Sequence, residues 1–132
     1  MQEQMLSNEV DIRRKKIEDL ISAGEIPYKD KFERTCTIAE AREKLGERVK
    51  IAGRIIFKRV MGKFGFIQIR DINAKIQVSV GRNELDEQAY DFYKKMIDIA
   101  DFVGVEGEVY QTQTGEITVR AEKVTLLSKT LR

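Results

Sequence analysis

The stretch RVKIAGRIIFKRVMGKFGFIQIRDINAKIQVSV, Arg48–Val80, decides how this chain folds. Apolar and polar residues alternate along it with a period of two, the spacing of strands that bury one face and wet the other. In the first run Val49, Ile51, Gly53, Ile55 and Phe57 share one face, and Lys50, Ala52, Arg54, Ile56 and Lys58 share the other. Val60, Met61, Gly62 and Lys63 make a turn. A second strand, Phe64–Arg70, points Gly65, Ile67 and Ile69 one way and Phe64, Phe66, Gln68 and Arg70 the other. Asp71, Ile72, Asn73 and Ala74 turn again. A third strand, Lys75–Val80, sends Ile76, Val78 and Val80 inward and Lys75, Gln77 and Ser79 outward.

Downstream the period changes. Leu85, Ala89, Phe92 or Tyr93, Met96 and Ile97 recur at helical spacing, which predicts a helix over Glu84–Ile97 with Asn83 as its cap and Asp86 at the third helical position. Two strands follow. Asp101–Gln111 alternates Val103, Val105 and Val109 against Glu106, Glu108 and Tyr110; after a turn at Thr112–Gly115, Ile117 and Val119 lead a strand toward Leu127. Three strands, a helix and two strands is the order of a mainly β, five-stranded OB-fold Greek-key barrel with its helix between strands three and four. Closure removes the exposed edges that five short strands would otherwise carry. An SH3-like barrel would lack the helix, and a ferredoxin-like fold would need one where only Val60–Lys63 stand.

Working upstream, Ser7–Ala23 reads as a helix with a thin stripe of Val10, Ile17, Leu20 and Ile21, stopped by Gly24. Pro27 then imposes an extended stretch. Lys29–Thr37 reads as a tether, and a short helical segment near Ile38–Leu45 ends at Gly46. The expected organisation is therefore a helical extension and tether over 1–46 and a barrel over 47–132.

Composition narrows the chemistry. The chain of 132 residues has no histidine and one cysteine, Cys36, so His-based triads, most metal sites and an internal disulfide are all removed at once. There is no phosphate-binding G-x-x-x-x-G-K-[ST] loop. Gly104 and Gly107 lie within a strand pattern, where close packing explains them better than phosphate binding. No catalytic residue, metal or cofactor is expected. No apolar run approaches the roughly 20 residues of a membrane span, and the polar N-terminus is not a signal peptide, so a cytoplasmic location is the default expectation.

The net charge of +2 conceals a polarised chain. Residues 50–82 hold eight basic side chains and one acidic one, for +7; residues 83–132 sum to −4 and residues 1–49 to −1. Such asymmetry suits a polyanion on one face. The outward side of strands two and three is where it would bind: Phe64, Phe66 and Gln77 stand among Lys75, Arg70, Arg54 and Lys58, with Lys63 in the adjoining turn and Arg13 and Arg14 on the N-terminal helix as further backbone contacts. Phe66 offers a stacking surface worth about 1–3 kcal/mol per base, and the Gln77 amide offers a donor and an acceptor for a base edge. For Phe64, cover by a loop or by the N-terminal helix is an equal alternative.

Several motifs carry a family resemblance. RVKIAGR at 48–54, KRVMGK at 58–63, Phe66 and KIQV at 75–78 resemble the anticodon-binding domain of class II lysyl-tRNA synthetases. IRRKKI at 12–17, Gly24, Pro27, Tyr28 and KFERT at 31–35 are similar to that family's N-terminal extension; VGVEG at 103–107, TQTGE at 112–116 and LLSKTLR at 126–132 resemble its last two strands and the lead into its catalytic domain. The resemblance implies that Phe66 stacks on the central uridine of the lysine anticodon, that Gln77 hydrogen-bonds its edge, that Arg59 contacts the same nucleotide and that Glu116 approaches a flanking base. It implies tRNA as partner, a homodimeric full-length ligase with its catalysis outside these residues, and a monomer or weak dimer for this stretch alone. Phe64 and Gly65 depart from the family's usual Ala-Ser, Gln113 from a lysine, and Ala100 from a glycine. Two other readings of the residues remain open: a single-strand binder without base preference, and a protein-interaction module docking through Phe64 and Phe66.

Overall fold

The computed structural model describes residues 25–27 and 32–130. The strands are β1 (Glu25–Pro27), β2 (Arg48–Met61), β3 (Phe64–Arg70), β4 (Lys75–Gly81), β5 (Phe102–Gln111) and β6 (Ile117–Thr130). Among the described residues three short helices intervene, α1 (Ile38–Ala41) before β2, and α2 (Arg82–Leu85) and α3 (Glu87–Met96) between β4 and β5. β2 pairs antiparallel with β3 and with β5, β3 with β4, and β5 with β6, while β4 and β6 run parallel. These pairings close β2–β6 into a five-stranded barrel of OB type, with the helical connection between its third and fourth strands. β1 lies outside the ring, paired with Ser128–Thr130 at the end of β6. The predicted N-terminal helix, Ser7–Ala23, and the first three residues of the predicted tether, Lys29–Lys31, lie outside the described residues.

The alternation read from the sequence puts Ile51, Ile55, Ile67, Ile69, Ile76, Val78, Val80, Val103, Val105, Val109 and Val119 in the core, all essentially inaccessible. Truncating any of the isoleucines to alanine should cost about 2–5 kcal/mol, the sum of lost transfer energy and an unfilled cavity. Gly62, at φ +66°, begins the two-residue turn between β2 and β3, which is tighter than the four-residue turn expected. Gly104 allows Phe32 to lie flat on the barrel: a Cβ there would come within 2.6 Å of the Phe32 ring.

Two expectations are corrected. Phe57 does not face inward. The β2–β3 register passes from Ile55↔Ile69 to Phe57↔Gln68, so Ile56 is an extra residue, a β-bulge. One inserted residue inverts the facing of everything after it. Lys58 and Val60, opposite buried Ile67 and Gly65, turn inward, and Phe57, Arg59 and Met61 turn outward.

The second correction concerns the helix. It is broken at Asp86, whose φ of 79° no continuous helix accepts. Asp86 is the N-cap of α3, its carboxylate accepting a hydrogen bond from the Ala89 N–H at 2.9 Å. An aspartate prefers to satisfy open backbone donors at a helix start over sitting inside a helix, which is why the pattern splits there. Tyr90 and Tyr93 supply the buried face of α3, and Met96 is exposed.

Candidate nucleic-acid interface

The bulge determines the composition of the outer face of β2, β3, β4 and β6. One row across the sheet runs Arg59, Phe66, Ser79 and Arg120; the next runs Phe57, Gln68, Gln77 and Thr118; a third begins Arg54, Arg70 and Lys75. Phe66 and Gln77 are therefore diagonal neighbours on one face, and Arg59 stands directly opposite Phe66. Phe66 is half-buried, and its ring packs against that of Phe64 in a T-shaped pair with centroids 4.9 Å apart and planes at 87°, which restricts the ring's motion. Phe64 itself remains 39% exposed, and it braces Phe66.

The Gln77 amide has a determined orientation. Thr118 Oγ1 donates to the Glu116 carbonyl at 3.1 Å, which uses the hydroxyl's one proton. It must then accept from Gln77 Nε2, 3.1 Å away, so the amide nitrogen faces Thr118 and the carbonyl oxygen is presented elsewhere. Glu116, exposed just before β6, shares with Gln77, Gln68, Lys75, Ile76, Ala74 and Arg42 an open cleft of about 310 Å³. The cleft is large enough for a base, with a carboxylate, two amides and two cations on its walls.

Three of the proposed backbone-contacting cations, Lys63 in the turn and Arg70 and Lys75 at the sheet's lower end, are exposed. Arg54 is on the same face but engaged, donating to the Ala100 carbonyl at 2.8 Å and lying over the Phe102 ring. Lys58 is elsewhere. Turned inward by the bulge, its ammonium donates to the Tyr93 and Lys94 carbonyls at 3.1 and 3.0 Å and to that of Ile97, closing the C-terminus of α3. Burial pushes this ammonium below its ordinary pKa, with Asp98 opposing. The expected outward facing of Lys58 is thus corrected, and the physical reason is the same extra residue that brings Arg59 outward. Arg13 and Arg14 lie outside the described residues.

Sequence reasoning missed Phe57, Thr118 and Arg42. The first had a visible signal: Ile55, Ile56 and Phe57 are three apolar residues in succession within an alternating strand, which is where a bulge can sit. Thr118 is wholly buried beside Gln77 only because β4 and β6 run parallel at that register. Among the described residues no cluster of three Cys, Asp or Glu could hold a metal, and no helix is long and apolar enough to cross a membrane.

Comparison with known proteins agrees with this geometry. Residues 49–127 match the tRNA anticodon family model, described as an OB-fold nucleic acid binding domain. Curated relatives include lysine–tRNA ligases of Lactococcus lactis subsp. cremoris strain MG1363, 39% identical over 96% of this chain, and Staphylococcus haemolyticus, 37% identical over all of it. A lysine–tRNA ligase of Lysinibacillus sphaericus is 37% identical over 96% of the chain. The chain spans only 27–29% of the length of these three relatives. With more than half its residues matched and the barrel closed as that family requires, the chain belongs to the tRNA anticodon family of OB-fold nucleic acid binding domains.

Proposed function

We propose that this domain selects tRNA by its anticodon within a lysine–tRNA ligase, with the central uridine of the lysine anticodon stacked on Phe66. The observation that supports the reading is the shared outer face of Arg59, Phe66 and Gln77. A uracil on the Phe66 ring would place its N3–H toward the Gln77 carbonyl oxygen, whose direction Thr118 holds. Cytosine has no proton at N3, so that oxygen would meet a lone pair. Arg59 would contact the same nucleotide, and Glu116 would approach a flanking base at the cleft. Lys63, Arg70 and Lys75 would follow the phosphates, a role for cations around stacked bases in single-strand binders. Amino-acid activation would belong to parts of the ligase outside these residues, with the whole enzyme acting in the cytoplasm as a homodimer and this stretch alone behaving as a monomer or weak dimer.

The test is affinity for lysine-anticodon stem-loops that differ only at the central base. Uridine to cytidine should weaken binding by about 1–3 kcal/mol, the scale of one lost base contact, and Phe66→Ala should cost a similar amount through lost stacking. Equal affinity for the two loops would leave only general single-strand binding.

A further inference from the structure

We propose that Phe57 is a second base-stacking platform, taking the nucleotide next to the one on Phe66 and thereby lengthening the interface by one base. The proposal rests on the anticodon reading for the identity of the RNA, and on the sheet geometry for the residue.

Phe57 is 45% exposed on the face that also carries Phe66 and Phe64, and apolar side chains grouped at a surface mark a binding site where a single one would not. The Ile56 bulge puts it on the outer face, opposite Gln68 in one row and diagonal to Phe66 in the next. Diagonal neighbours on a sheet lie about 7–8 Å apart, close enough for two successive splayed-out nucleotides and too far for one ring to serve both. Its surroundings suit a polyanion with flat bases: Arg59 precedes the turn on the same strand face, Arg70 is exposed in the row beyond, and the Gln68 amide stands across from it. Aromatic rings interleaved with cations and amides are the pattern by which OB barrels hold unpaired bases. A ring has no base preference, so Phe57 adds affinity and register while Gln77 supplies the discrimination.

The experiment compares the whole chain with its Phe57→Ala, Phe57→Trp and Phe66→Ala variants. Each is titrated with a UUU-anticodon stem-loop and with the same loop made abasic at each loop position in turn, and a thermal melt of each protein confirms that it is folded. Phe57→Ala should bind the intact loop about 5- to 100-fold more weakly. Phe57→Trp should bind within about twofold of the parent. Removing one base beside the central position should weaken the parent yet add little to the loss already seen in Phe57→Ala. Binding by Phe57→Ala within about twofold of the parent overturns the proposal, as expected if the ring meets a protein instead. Should Phe66→Ala bind as the parent does, the anticodon reading falls, and the Phe57 variants still decide whether that ring stacks on RNA.

Discussion

At the scale of single residues, the proposed specificity would depend on a relay that ends outside the site. Gln77 would be ambiguous alone, since an amide can present either of its ends. The Gln77–Thr118–Glu116 chain of hydrogen bonds removes that ambiguity. Thr118→Val, nearly equal in volume and wholly buried, should therefore leave the fold intact and let the amide turn. Binding of the uridine loop should weaken by about 0.5–1.5 kcal/mol, the net worth of one hydrogen bond, and the preference over cytidine should shrink more than it does in Lys75→Ala. Paired titrations of the two loops check this; an unchanged preference would mean that Thr118 holds nothing relevant. Phe66 and Gln77 were legible from alternation because each lies in a strand of unbroken period two. Thr118 was not, because its neighbour is set by a parallel pairing between segments some 40 residues apart.

Among the elements, β2 governs the outcome. Up to Ile55 its facing follows the sequence pattern, and after Ile56 every side chain is on the side opposite to the one expected. A bulge leaves only a faint mark in sequence, one extra apolar residue, and counting by twos carries the error to the strand's end. Arg59 thus entered the candidate site through family likeness, and Lys58 through a facing that the bulge reverses. The exchange has a stability consequence. Lys58 holds three carbonyls at the end of α3, so Lys58→Ala should lower stability by about 1–2 kcal/mol through lost capping. RNA affinity should stay within about twofold. Denaturant melts and the stem-loop titration measure both, and a variant of normal stability with impaired binding would reverse the assignment. The predicted single helix failed for a related local reason, because Asp86 leaves helical backbone geometry at the end of α2 and its carboxylate accepts from the Ala89 N–H at the start of α3.

Considered whole, the molecule was legible in outline: the element order gave the barrel, and the excess of basic residues between 50 and 82 pointed to the face proposed to bind RNA. Its pH dependence comes from contacts that join distant parts. Burial alone would raise the Asp71 carboxyl, but N–H groups of Asn73, Ala74 and Ile38 hold it below its ordinary value and tie the β3–β4 turn to α1. A folded pKa below the unfolded one gives stability that is complete above about pH 4 and lost as pH falls through the folded value. Lys129 behaves oppositely. Burial disfavours its charge, but Asp101 and Asp98 raise its pKa, so its contribution is complete below 10.5 and lost as pH climbs through the raised value. Urea midpoints from pH 7 to 2 should fall less steeply in Asp71→Asn than in the parent, from a lower starting stability; parallel curves would show that this carboxylate does not set the acid limb.

The placement of Arg59, Phe66 and Gln77 together on the wet face is tested most directly by following side-chain NMR signals as a lysine-anticodon stem-loop is added. The account predicts that the Phe66 ring protons and the Gln77 amide pair shift first and saturate together, with Arg59 moving and the Lys58 ammonium and α3 unchanged. Shifts centred on Lys58 and α3, with Phe66 and Gln77 silent at saturation, would contradict it.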